Sequence, residues 1–259
     1  MVNIACFKYG DKYDYRHVNL LYNSIKKHYK NKFSFFCIGD NGENISPEVT
    51  FIELKEEFKY AFNKVKAFSN NFLNLKPNSR LIILDLDIEI MSDPSEIFEV
   101  NLEKKEVGVM HKWWQYPYRS CFIWGGVYVF DTGDTNILYS RLKNNKDHFY
   151  KKYSLLYNYK NRPEIDLPIK GEQDYVLETL TIENFKLKVF PAFVSETIQP
   201  EVYQNKIDPK KALKDPDSLK KDRLKTHFLI KSLATTRKNL IFNHYSGYVE
   251  EYIKLRYES

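Results

Sequence analysis

The residues best placed to do chemistry stand at the end of one apolar run. In the segment from Arg80 to Asp93, the buried-looking strand Leu81 to Leu84 leads directly into two carboxylates one residue apart, Asp85 and Asp87. A continuous apolar run of this kind reads as a central strand covered on both faces. Two carboxylates at its exit resist joint ionisation, because like charges a few ångströms apart raise each other's pKa. A divalent cation relieves that repulsion. Hard ions such as Mg²⁺ and Mn²⁺ take carboxylate oxygens and share their remaining positions with substrate phosphates. The pair also reads as a strand cap that satisfies loop amides, and a three-residue pattern alone does not choose between the two.

The elements that must hold the pair are legible upstream. Asn3 to Phe7 and Phe33 to Ile38 read as strands, separated by an amphipathic helix from about His17 to Tyr29 with Leu20, Leu21, Ile25 and His28 on one face. Thr50 to Leu54 reads as a further strand, and Ala61 to Leu73 as a helix turning Val65, Phe68 and Phe72 inward. Strand and helix in alternation imply a parallel sheet with helices on both faces, and ligands of such sheets bind beyond the carboxyl ends of the strands. Beyond residue 100 the pattern becomes mixed. Val107 to Met110, Gly125 to Phe130 and Lys186 to Phe190 read as extended, Glu172 to Leu180 as helical, and Glu201 to Leu224 as a long loop or short helices, a stretch of the kind that forms a lid or a flexible arm.

Composition sets outer limits. A chain of 259 residues with 43% hydrophobic and 16% aromatic content buries one sizeable core. No apolar run approaches the ~18 residues of a membrane-spanning helix. The N-terminus lacks the basic region and cleavage site of a signal peptide, so a cytoplasmic location is expected. Cys6, Cys37 and Cys121 are odd in number and set among apolar residues, which reads as buried thiols. The net charge is +6, and the segment Lys206 to Lys238, with eleven Lys or Arg against four Asp, carries all of it. Such a stretch is a solvated loop face, or it meets an anionic ligand, an anionic lipid surface or nucleic acid.

Six pieces then occur in order: Ile4 to Tyr13, Lys64-Val-Lys-Ala-Phe68, Leu84-Asp-Leu-Asp87, Gly125-Gly-Val-Tyr-Val-Phe130, Gly171-Glu-Gln-Asp174 and Asn243-His-Tyr-Ser-Gly247. Together they resemble the GT-A glycosyltransferases, in particular the metal-dependent group containing glycogenin-like and lipopolysaccharide galactosyltransferase-like enzymes. The resemblance runs from residue 3 to residue 247. It implies a single α/β, Rossmann-like GT-A domain with a central mixed, mainly parallel sheet flanked by helices. Residues 1–100 would form a nucleotide-binding half, 101–200 an acceptor and sugar half, and 201–259 a basic loop with a metal-ligand segment.

The resemblance also implies roles. Asp85 and Asp87 match the family's DxD motif and His244 its late histidine, a ligand set for Mn²⁺ or Mg²⁺ that holds the diphosphate of a nucleotide sugar, here a UDP-sugar. Phe7, Tyr9 and Tyr13 match the region that receives base and ribose, with core packing an equal account of Phe7. Lys64, Asp85 and Gly126 match donor-contacting positions, and Glu172, Gln173 and Asp174 match the segment beside the anomeric carbon. The chain departs from the family at Trp124-Gly125, where a small polar residue is usual before the glycine, and after Gly247, where Tyr248-Val-Glu-Glu replaces a diphosphate-gripping Lys-Pro. Lys231, Arg237 or Lys238 would then supply the missing charge from a basic lid. The implied acceptor is a glycan, a lipid-linked sugar or a protein hydroxyl, with peripheral contact to an anionic membrane surface through the basic segment; nucleic acid is not the expected partner. Two other readings compete. One is a haloacid-dehalogenase-like phosphatase, whose Asp-x-Asp opens its domain and continues to Thr where this chain has Glu89; the other is a non-catalytic sugar-nucleotide or nucleic-acid binding module.

Overall fold

The computed structural model describes residues 1–55, 58–111, 123–154, 171–190, 195–197 and 242–244. Its centre is a seven-stranded sheet in the order β3-β2-β1-β4-β7-β6-β8. The strands are β1 (Val2–Lys8), β2 (Phe33–Gly39), β3 (Thr50–Glu53), β4 (Arg80–Leu84), β6 (Glu106–His111), β7 (Ile123–Asp131) and β8 (Lys186–Phe190). All neighbours are parallel except β7, which runs antiparallel to both β4 and β6. The fold is therefore α/β with a mixed, mainly parallel sheet, as the family resemblance implies.

Strand alternation divides the core in two. Ile4 and Cys6, Ile82 and Leu84, Val127 and Val129 point to one face, where Val18, Leu21 and Ile25 of α1 (Tyr15–His28) cover them. Ala5 and Phe7, Leu81 and Ile83, Tyr128 and Phe130 point to the other. That second face is covered by the segment Tyr60–Phe68 and by α3 (Asn136–Asn144), α4 (Lys146–Ser154) and α5 (Glu172–Ile182). The period of two in a strand is what lets consecutive residues serve opposite layers. A short helix, α2 (Ser95–Phe98), adds Ile97 and Phe98 to the first face. Cys6 and Cys37 are free and buried, side by side in the β1–β2 register; Cys121 lies outside the described residues.

A second sheet of three strands, in the order β5-β10-β9, joins β5 (Ile88–Ile90) to β9 (Ser195–Thr197) and β10 (Phe242–His244). β10 runs antiparallel to β5 and sets His244 opposite Ile88.

One element differs from its expected form. In place of an α-helix over 61–73, the chain forms a 3-10 helix at Tyr60–Phe68, then a separate short turn at Phe72–Asn74 with Leu73 in the left-handed region at φ 57°. The buried Phe62, Val65 and Phe68 recur every three residues. That spacing aligns on one face of a 3-10 helix, in which side chains at i and i+3 eclipse. Phe72, beyond the break, is only partly buried.

The start of α1 is fixed by Asp14. Its Oδ1 accepts from the Arg16 amide at 2.9 Å, and its own amide donates to Nδ1 of His17 at 3.1 Å, closing a capping box. The tautomer that accepts there leaves Nδ1 unable to donate to the carboxylate, 3.0 Å away. Burial pushes the Asp14 pKa up, but the hydrogen bonds from the Arg16 side chain and amide oppose it, and the carboxyl stays below its ordinary value. Asp14→Ala is expected to cost about 1 kcal/mol of stability at neutral pH. A group with a lowered folded pKa stabilises above its unfolded value and loses that contribution as pH falls through the folded one. The gap between variant and parent in urea denaturation should therefore close below the ordinary aspartate range; a gap that persists in acid would remove Asp14 from this role.

Candidate functional site

The carboxyl ends of β1, β2 and β4 converge on one edge of the sheet, where open parallel sheets bind ligands. Beyond Leu84 the backbone stays in register for one more residue, since the Asp85 amide donates to the Gly126 carbonyl of β7 at 2.9 Å. Leu86 and Ile88 continue the even-numbered set buried on the α1 face. Asp85 takes the odd-numbered position that continues from Leu81 and Ile83, and Asp87 follows it within a turn at 86–87. Asp87 is buried at 3% exposure, whereas the Asp85 side chain is 29% exposed and so reachable from solvent.

Lys64, from the 3-10 helix, reaches the same place from the α5 side. Its Nζ lies 2.9 Å from Asp85 Oδ1 and 2.7 Å from Glu172 Oε1, and it donates to the Gly125 carbonyl at 3.0 Å. Three acceptors match the three donors of an ammonium. Burial alone would lower the Lys64 pKa, but the charges of Asp85 and Glu172 raise it well above its ordinary value, so the ammonium stays charged. For Asp85, burial raises the pKa and Lys64 opposes it; Asp87 and Glu172 add their repulsion, and the net shift is upward. The site holds more negative charge than its one buried lysine balances.

Glu172 and Gln173 open α5 against β7. Gln173 Oε1 accepts from the Gly125 amide at 3.1 Å. A Cβ at Gly125 would stand 2.7 Å from Glu172 Oε1, so the close approach of α5 requires glycine there. A Cβ at Gly126 would stand 2.3 Å from the indole of Trp124, which lies over that glycine and is itself buried. The bulky residue at 124 thus fills space beside the strand at the cost of any side chain on Gly126. Asp174 is buried in the same first turn of α5. Its charge is felt by Tyr153, whose hydroxyl is driven to a higher pKa by burial and by Glu178 before Asp174 adds to it.

The aromatic residues expected at the base and ribose divide. Phe7 is buried and stacked on Phe72 with centroids 6.0 Å apart, and Tyr9 packs partly buried against the same core. Tyr13 sits instead on the carboxylate pair, donating its hydroxyl to Asp87 Oδ2 at 2.8 Å. Lys12, within the Ile4–Tyr13 piece but without an expected role, brings its Nζ to 3.8 Å from the same oxygen. Asp40 also escapes sequence reasoning. It follows β2 and fixes the loop after β1, pairing with Lys8 Nζ at 2.9 Å and accepting from the Gly10 amide at 2.7 Å, where Gly10 has φ 65°. A carboxylate just past a strand neighbouring β1 is the one signal that could have found it.

Among the described residues no group of three or more His, Cys, Asp or Glu is arranged to hold a metal ion. The donor set nevertheless suits a hard divalent cation: two carboxylates at one strand end, Lys64 occupying a single oxygen of Asp85, and substrate phosphates able to complete the shell. β10 brings the His244 backbone opposite Ile88, the residue after Asp87. Lys231, and the whole basic segment 206–238 with Arg237 and Lys238, lie outside the described residues.

No protein-family model matches the chain, and no curated protein matches it by sequence. Solved structures do. An active-site mutant of LgtC superposes with a TM-score of 0.50 at 11% identity, covering 94% of this chain and 87% of that one. The glycosyltransferase GlyE of Streptococcus pneumoniae TIGR4 gives 0.51 at 12% identity, over 94% of this chain and 54% of GlyE. The bifunctional glycosyltransferase WbbM gives 0.52 at 11% identity, over 95% of this chain and 46% of WbbM. The chain thus spans about half the length of the GlyE and WbbM chains. Likeness at these identities is one of architecture, and the architecture is the GT-A glycosyltransferase fold.

Proposed function

We propose that the chain is a metal-dependent glycosyltransferase that moves a hexose from a UDP-sugar to a hydroxyl of a glycan, a lipid-linked sugar or a protein. The observation that carries this reading is the meeting of Asp85, at the carboxyl end of β4 and two residues before Asp87, with the first turn of α5 through Lys64. In the GT-A fold that edge of the sheet is where a nucleotide sugar fits, and the haloacid-dehalogenase alternative has a different fold.

Mn²⁺ or Mg²⁺ held by Asp85, Asp87 and His244 would offset the charge that grows on the leaving diphosphate. The chain's own groups do the rest. In the transfer, the acceptor oxygen forms a bond to the anomeric carbon and the bond from that carbon to the diphosphate oxygen breaks, its electron pair leaving with UDP. The acceptor hydroxyl loses its proton. Glu172, Gln173 and Asp174 supply the groups that orient the donor sugar and acceptor or take up that proton. Lys64 keeps Asp85 and Glu172 from repelling each other, which fixes both before substrate arrives. Among the described residues no helix is long and apolar enough to cross a membrane; the basic segment is the part suited to an anionic lipid surface that presents the acceptor.

Three substitutions test the reading. Asp87→Asn keeps shape and removes charge, so it should abolish Mn²⁺-dependent UDP release from a panel of UDP-sugars and leave the circular dichroism spectrum intact; undiminished turnover would sink the metal assignment. His244→Ala should weaken Mn²⁺ binding roughly ten- to a hundred-fold, and coincident metal titration curves would exclude His244 as a ligand. Lys64→Met leaves two carboxylates facing each other without their cation, at an expected cost of roughly 3 kcal/mol or more. Protonating Asp85, whose pKa already lies above its ordinary value, relieves that repulsion. A carboxyl with a raised folded pKa favours the folded state at low pH, so the Lys64→Met deficit should shrink on acidification; a deficit independent of pH would mean that lost packing, not charge, is responsible.

A further inference from the structure

Lys12 stands apart from the other cation of the site. Lys64 is enclosed and fully engaged, whereas the Lys12 side chain is 61% exposed on the loop between β1 and α1. Its Nζ is 3.8 Å from Asp87 Oδ2, too long for a tight hydrogen bond, and 4.5 Å from the centroid of the Tyr13 ring. Tyr13 donates to that same oxygen. The backbone that carries Lys12 is held on both sides: Asp40 binds Lys8 and the Gly10 amide before it, and the Asp14 cap anchors α1 after it. A fixed loop thus presents a flexible four-carbon stem whose ammonium can swing. Its ion pair with Asp87 is exposed on the lysine side, and pairs of that kind are weak and easily exchanged.

We propose that Lys12 is the diphosphate-gripping cation of this site: it shields Asp87 while no divalent ion is bound and turns to the donor's diphosphate once one is. The inference rests on the nucleotide-sugar reading above. A divalent ion held by the same carboxylate repels the Lys12 ammonium, so the weak Lys12–Asp87 pair gives way when the ion arrives. The nearest anion is then the diphosphate, which lies against Asp87 in any arrangement where carboxylate and phosphate share the ion. The Tyr13 ring, over which the ammonium already sits, gives the stem a second resting place and limits its swing. As the sugar leaves, the diphosphate gains one negative charge, and a positive group at hydrogen-bond distance gains in Coulomb energy at that moment. Lys12 therefore acts on both sides of the ligand, opposing bare metal and favouring metal together with diphosphate.

The test uses opposite signs in two binding measurements on the full chain. By titration calorimetry, Lys12→Met should bind Mn²⁺ alone roughly two- to five-fold more tightly than the parent, the scale of a lost exposed ion pair. In saturating Mn²⁺ it should bind both pyrophosphate and UDP about ten-fold or more weakly, the scale of a lost charged hydrogen bond. Lys12→Arg should keep the parent's order of affinities. Shifts of the same sign in both measurements, or no shift in either, would overturn the proposal. So would a loss for UDP with none for pyrophosphate, which would move Lys12 to the nucleoside. If the parent binds neither pyrophosphate nor UDP with Mn²⁺, the donor reading itself fails and takes Lys12 with it; parent binding that Lys12→Met leaves unaltered fails the Lys12 proposal alone.

Discussion

The ammonium of Lys64 is the point from which the rest of the site can be derived. It is buried, it is charged, and it needs three acceptors; the molecule supplies them from β4, from β7 and from α5. An isolated buried ammonium would be costly, and so would Asp85 or Glu172 without a partner. Each group is tolerable only because the others are present. This mutual requirement explains features that otherwise look unrelated. Gly125 has no Cβ because Glu172 must come within reach of the ammonium. The segment 60–68 winds as a 3-10 helix whose Phe62, Val65 and Phe68 anchor one face while Lys64 extends to Asp85.

The sheet makes that meeting possible by assigning alternate residues to opposite layers. Along β4 the even-numbered residues pack toward α1, and the odd-numbered ones pack toward the 3-10 helix and α5. Asp85 follows that parity toward Lys64, whereas the chain turns at 86–87 and Asp87 meets Tyr13, which packs against the α1-side core. A change of register by one residue would send Asp85 toward α1 and away from Lys64. The antiparallel β7 contributes as well: because it runs against β4, its Gly125 and Gly126 lie beside the exit of β4.

Much of this arrangement is legible in the amino-acid sequence. The apolar run of Leu81 to Leu84, the alternating helices and strands up to residue 90, and the carboxylate pair at a strand end all follow from periodicity and charge. The start of α5 at Glu172 is also visible, but its role depends on a resemblance, because nothing in spacing says which strand an isolated helix will touch. Lys12, Asp40 and the partner of Tyr13 are not legible. Their contacts join residues far apart in sequence or lie in a loop whose course is fixed by Asp40, and a loop has no period to read. The α-helix expected over 61–73 fails for a different reason: hydrophobic spacing of three and of four both suit a short segment, and only the packing at Phe62, Val65 and Phe68 separates them.

The small sheet has a consequence for the order in which the molecule becomes complete. β5 leaves the carboxylate pair with only one strand's worth of residues, and its partner β10 comes from Phe242–His244, most of the chain length away. Closing so long a loop costs entropy that no local contact repays, and contacts of high sequence separation form late in folding. During synthesis, β1 through β4 can pair and the two carboxylates can stand in place well before residue 242 exists. β10 can join only once residue 242 has been made, so a nascent chain would possess the carboxylate pair before the strand that pairs with β5.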